Sequence, residues 1–293
     1  MKRKVLAVGI ILLFIGTAII PSSGQKIDKL SLPISRGNTL YVGGSGPGNY
    51  STIQDAIDNA SNGDTVFVYD DSSPYYESVK INKSIRLVGE NQQTTVIDGQ
   101  YLLTTVSLTA DEVTFTGFTV RNAHSHAFIY NVLSVHCNHS TIIGNTIIGN
   151  FFPSFIYDII LWSSNNNTIK ENTVSFGIIG IYLFASNDTT ITGNNITQHL
   201  SYGIALANSK RNNISMNNIM ENANRDAFFT RNVGNFPLSN HWNANYWGKP
   251  YFLPKRIHGK LILLENEYFT LTLPLVNFDW HPAKEPYDIP GMR

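Results

Sequence analysis

Four of the eight histidines of this 293-residue chain fall within one short stretch, together with its only cysteine. His124-Ser-His126 would place two imidazoles on one face of a strand. His136-Cys-Asn-His139 adds the Cys137 thiol one strand or turn away. Imidazole and thiolate are donors that copper accepts, so His124, His126, His136 and His139 are the candidate metal ligands. The competing reading is four polar loop residues at an irregular 27-residue turn. A single cysteine excludes a disulfide framework and Cys-rich zinc or iron–sulfur sites.

Carboxylates are the second chemical possibility. Hydrolysis of a glycosidic bond needs two of them about 5–10 Å apart. β-Elimination would need a basic residue near a carboxylate-bound Ca²⁺. Between residues 113 and 230 there are five carboxylates (Asp158, Glu171, Asp188, Glu221, Asp226) and five basic residues (Arg121, Lys170, Lys210, Arg211, Arg225). Asp158 and Asp226 occupy equivalent places in a repeat, but three turns apart, about 14 Å at a strand spacing of 4.8 Å. Gly180 and Gly203 stand between them. The one candidate catalytic patch is Asp226 with Arg225, beside His199 and Tyr202. Flat aromatic rings suit sugar binding without cleavage, and Trp162, Tyr182, Tyr202 and Phe228, with His199, are the candidate carbohydrate-binding residues. Their structural alternative is that aromatics simply fit pleated surfaces.

These residues are positioned by a repeat. Thr141-IIGNTIIGN, Thr168-IKENTVSFG, Thr190-ITGNNITQH and Asn213-ISMNNIMEN align on Asn145, Asn172, Asn194 and Asn217, spaced 27, 22 and 23. Each Asn has an aliphatic residue three positions before it and another two after it. Extending the spacing places Asn240 next. A second motif runs in phase through Leu161, Leu183, Leu206 and Phe229, and the residues between its inward positions (Ile160, Tyr182, Ala205, Phe228) should face solvent. Strand-like runs are short, β-branched and bounded by Asn, Gly or Ser. No 10–15-residue run with 3.6 periodicity occurs between 84 and 247, which excludes a helical solenoid. The remaining solution is an all-β, right-handed parallel β-helix, a single-stranded solenoid of about seven coils. Asn tolerates the left-handed bend between strands, and stacked amides can form a ladder, so Asn145, Asn172, Asn194, Asn217 and Asn240 read as structural.

Both open ends of such a rod need covering. Ser51 or Thr52 can cap an N-terminal helix with Ile53, Ala56, Ile57 and Ala60 on its apolar face. Residues 249–293 carry six prolines, Trp280 and the strands Leu261-ILL and Phe269-TLTL, and form the C-terminal cap. The expected organisation is a signal peptide at 1–24, a linker and first strand at 25–48, the helix-capped rod at 49–248 and the cap at 249–293.

Composition narrows the partners. Charged residues are only 14%, and 21 basic side chains cancel 21 acidic ones. A nucleic-acid partner would need clustered Lys and Arg, so none is expected. Lys2-Arg-Lys4 followed by sixteen apolar residues and Pro21-Ser-Ser-Gly24 describes a secretory signal. Membrane contact is expected only if that segment stays uncleaved. Eight Asn-x-Ser/Thr sequons among 32 Asn add weak support for export and for a glycoprotein.

The coils resemble repeats of the pectin-lyase-like superfold. Ser51-TIQDAIDNASNGDTVFVY, Tyr76-ESVKINKSIRLVGE and Thr95-VIDG resemble the start of NosD-like and related carbohydrate-binding or sugar-hydrolase β-helix domains. Asn240-HWNANYWG and Asn277-FDWHPAKEPY are similar to C-terminal segments of secreted archaeal NosD-like proteins. The resemblance covers roughly 38–293. It implies polysaccharide binding or cleavage, or the role NosD has in copper-site maturation for nitrous oxide reductase. Neither the paired-Asp pattern of polygalacturonases nor the Gln, Asp and Arg motifs of pectin methylesterases is visible. The expectation is an exported, non-catalytic protein of the cell surface or extracellular space that binds polysaccharide or surface glycan. The alternatives are a polysaccharide lyase or glycoside hydrolase, then a NosD-like copper protein, with Ca or Cu the cofactors in view. A purely structural surface protein is the third kind of role. Oligomeric state is left open.

Overall fold

In the computed structural model, residues 37–100, 104–123, 130–150, 156–233, 239–265 and 270–289 are described. The basic and apolar stretch 1–24 lies outside them, as do His124 and His126. The described chain winds into a right-handed parallel β-helix of three strands per turn. One stack of strands is long, running through Tyr130–Val135, Ile156–Trp162, Ile179–Phe184, Tyr202–Ala207 and Arg225–Asn232. A second carries Thr141–Ile143, Thr168–Lys170, Thr190–Thr192, Asn213–Ser215 and His241–Asn243. A third, seven-stranded, carries Thr146–Ile148, Thr173–Ser175, Asn195–Thr197 and Asn218–Met220.

Register makes the core. Ile142, Ile169, Ile191, Ile214 and Trp242 pair in one column, and Ile147, Val174, Ile196 and Ile219 in another. All of them are buried. Fully burying one such aliphatic side chain is worth roughly 1.5–3 kcal/mol, so each turn adds several such increments against its neighbours.

The bends between strands are held by amides. Asn145 Nδ2 donates to Asn172 Oδ1 at 3.1 Å, Asn172 to Asn194 at 3.0 Å, Asn194 to Asn217 at 2.9 Å and Asn217 to Asn245 at 2.9 Å. Each Oδ1 also accepts the backbone N–H of the Asn one turn earlier. The residue before each Asn has a positive φ (Gly144, Glu171, Gly193, Met216, Ala244), which is the bend itself. Asn240 is not in this ladder. It lies in a parallel one, accepting Asn212 Nδ2 at 2.9 Å, while Asn245 takes the place next to Asn217. The last turn is 28 residues long, so extending a 23-residue spacing stops five short.

Both ends close as charge and packing require. Thr52 caps the helix Ile53–Asn59, and its Ile53, Ala56 and Ile57 are buried. Glu77 accepts the Ile53 and Gln54 amides at 2.8 and 2.9 Å. At the other end the predicted short strands are longer: Lys255–Glu265 and Thr270–Asp279 form an antiparallel hairpin. Its first strand pairs with Arg225–Asn232 in parallel, Phe228 opposite His258, so the long stack continues into it. Its second delivers Asp279, wholly buried, which ends the Asn ladder by accepting Asn245 N, Asn245 Nδ2 and Trp247 Nε1 at 2.9, 3.1 and 3.1 Å.

Candidate functional site

Alternation along the long stack sends Ile159, Leu161 and their equivalents inward and the residues between them outward. Ile160, Tyr182, Ala205 and Phe228 form one outward column; Tyr157, Ile179, Tyr202 and Arg225 form the next. Rings from the two columns meet diagonally. Tyr157 stacks on Tyr182 at 4.8 Å and 26°, and Tyr202 on Phe228 at 5.1 Å and 12°. Ile160 and Ala205, expected at the solvent face, are 3% and 4% exposed: they point outward, but Ala205 lies between Tyr182 and Phe228 and Ile160 between Ser134 and Tyr182. Burial raises the Tyr157 phenol and pushes Tyr182 up to about 12, so both remain hydroxyl donors at neutral pH. Trp162 belongs to the same face one column further along, stacked on Phe184 at 4.4 Å.

His199 is not on that face. It lies inside the rod, where its Nε2 meets Asp158 Oδ2 at 2.9 Å, both side chains fully buried. Its Nδ1 meets Asn222 Oδ1 at 2.8 Å. The Asn222 amide nitrogen faces the Met220 carbonyl at 3.0 Å and Asp226 Oδ1 at 3.3 Å. Its oxygen therefore faces His199, and Nδ1 must carry a proton. Asp158 and Nε2 then share one further proton. Burial pushes the Asp158 carboxyl up to about 6, against the opposing pull of His199. The column that begins with Asp158 and ends with Asp226 has glycine between because its space is taken. A Cβ on Gly180 would come within 2.7 Å of the His199 ring, and one on Gly203 within 2.7 Å of Asn222 Nδ2.

This buried line surfaces at Asp226. There a cleft of about 240 Å³ is lined by Asn222, Arg225, Asp226, Lys255, Arg256 and His258. Burial raises the Asp226 carboxyl, partly offset by the Asn222 amide and the Lys255 charge. No repeat motif reaches His258, which comes to the cleft only because the C-terminal hairpin pairs with the long stack. A second aromatic group, Tyr41, Phe67 and Tyr69 near the N-terminal end, is built differently: two of its three ring pairs cross at 64° and 78°, presenting edges.

The described part of the His–Cys segment does not converge. Cys137 is 2% exposed and bonds Ser140 Oγ, its thiol raised by burial. His136 and His139 are exposed, His136 Nε2 meeting Ser134 Oγ at 2.7 Å. Among the described residues no three His, Cys, Asp or Glu side chains come together as a metal site would require. The other two candidate ligands, His124 and His126, lie outside the described residues. Among the described residues, too, no helix is long and apolar enough to cross a membrane.

A family model described as "Periplasmic copper-binding protein (NosD)" matches residues 57–252. No curated protein matches the chain. Among solved structures, the Dettilon tailspike protein aligns with TM-score 0.50 at 12% identity, over 78% of this chain and 48% of that one. An alginate lyase from Paenibacillus sp. aligns at 0.46 and 13%, over 72% and 85%. Pectate lyase Pel9A aligns at 0.48 and 13%, over 73% and 75%. At these identities the likeness is one of fold.

Proposed function

The chain belongs to the NosD family, and we propose that in this member the rod is an extracytoplasmic polysaccharide-binding surface, with the sugar chain lying along the outer face of the long stack. The reading rests on one observation: two near-parallel aromatic stacks, Tyr157–Tyr182 and Tyr202–Phe228, on one face of successive strands. Equivalent rings, Tyr157 and Tyr202, are two strands apart, on the order of 10 Å. Sugar rings present apolar C–H faces that aromatic faces cover, while the flanking phenols supply hydrogen bonds. Binding rather than cleavage is favoured because Asp158, the carboxylate equivalent to Asp226, is sealed inside the rod with His199.

Export, by the signal at 1–24, belongs to the same proposal, as does glycosylation at the exposed sequons. A glycan array probed with the full chain is expected to show binding. Tyr202→Ala and Phe228→Ala are each expected to weaken the strongest interaction about three- to tenfold by titration calorimetry. A silent array, or variants that bind like the parent, would sink the reading.

A further inference from the structure

Resting on that reading, we infer that the bound polysaccharide is anionic, and that its charged substituent is held directly by Arg225, Lys255, Arg256 and His258 in the cleft at the C-terminal end of the aromatic face. The geometry is continuous. The Arg225 guanidinium lies 5.8 Å from the centre of the Phe228 ring, which stacks on Tyr202. His258 pairs with Phe228 in the next strand of the stack. Lys255 is held by the Tyr251 hydroxyl at 3.0 Å. A sugar ring on Tyr202 and Phe228 therefore projects its substituents toward four basic side chains.

Three permanent cations, Arg225, Lys255 and Arg256, outnumber the one carboxylate of the cleft, Asp226, which feels the Lys255 charge. Among the described residues none of the four forms an ion pair. The one carboxylate lining the cleft, Asp226, is half-buried and bonded to Asn222. The local potential is positive: burial, then Arg225, Arg256 and Lys255, lowers the His258 imidazole. In a chain whose charges cancel overall, such a concentration fits a carboxylate or sulfate carried by each of several sugars. Guanidinium is suited to both by its planar donor fork. With one carboxylate against three permanent cations, and the His258 imidazole as a further hydrogen-bonding group, no divalent cation is needed to bridge ligand to protein.

The test is an array of uronate oligomers, sulfated galactan oligomers and neutral glucans and galactans, followed by titration of the best binder in each class, with and without EDTA. Binding is expected in an acidic class. It should be unaffected by EDTA and weakened at least tenfold by Arg225→Ala or Arg256→Ala. Unchanged thermal midpoints of these surface variants would exclude misfolding. Preference between uronate and sulfate identifies which anion the cleft takes, and either supports the inference. Neutral glycans binding as well as acidic ones, EDTA abolishing binding, or arginine variants matching the parent would overturn it while leaving the aromatic surface standing. Silence in every class would remove the surface reading itself, and this inference with it.

Discussion

Replacing Asn194 by Ala is expected to lower the stability of the rod by about 3–5 kcal/mol, read as a fall in the urea midpoint. Asn194 is fully buried in mid-ladder. Its Oδ1 accepts both the backbone N–H and the side-chain Nδ2 of Asn172 at 3.0 Å. Its Nδ2 donates to the Ile169 carbonyl at 2.9 Å and to Asn217 Oδ1 at 2.9 Å. Alanine removes all of these and lets no water in to replace them. Each polar group stranded in an apolar interior costs about 1–3 kcal/mol, and the whole of a typical domain's stability is about 5–15. Asn213→Ala, at an exposed position of the next turn, is the matched control and is expected to shift stability by less than about 0.5 kcal/mol. Equal effects at 194 and 213 would show that the amides are not stacked.

The second large effect is at His199. His199→Ala leaves Asp158 buried without its partner. Removing one member of a buried charged pair costs about 3–5 kcal/mol. The sign of the pH dependence follows from the carboxyl. Burial places its folded pKa near 6, above the roughly 3.9 of an unfolded Asp. Its contribution to stability is thus complete below about pH 4 and is lost as pH rises through about 6. Without His199, which opposes that rise, the loss is larger. The deficit of His199→Ala relative to the parent is therefore expected to grow between pH 5 and pH 8 in urea unfolding. In an Asp158→Asn background the pH-dependent part should vanish. A deficit that is constant with pH, or that shrinks as pH rises, would mean that the two side chains do not share a proton inside the rod.

How far the residues alone announced this structure differs by level. The 22–23-residue recurrence of Asn with aliphatics three before and two after is a local pattern, and stacking in register is its direct physical consequence. The inward columns and the capping helix at Thr52 follow from it. The irregular final turn does not, because nothing short-range records a 28-residue excursion, and Asn240 was assigned to the ladder that Asn245 occupies. The buried line was half visible. Gly180 and Gly203 between Asp158 and Asp226 marked a column without side chains, but not what fills the space. His199 stands 41 residues from Asp158, and only winding brings them together. The aromatic face was legible as alternation along each strand, whereas the diagonal stacks depend on how neighbouring turns are offset. The basic cleft depends on the C-terminal hairpin rejoining the long stack, which puts His258 next to Phe228 although no repeat motif extends that far.

Radical footprinting of aromatic side chains, with and without the strongest-binding oligosaccharide, tests the proposed surface most directly. Tyr157, Tyr182, Tyr202 and Phe228 should lose labelling when the sugar is bound, while Tyr41, Phe67 and Tyr69 keep theirs. Protection of the second group instead, or of neither, would contradict the account.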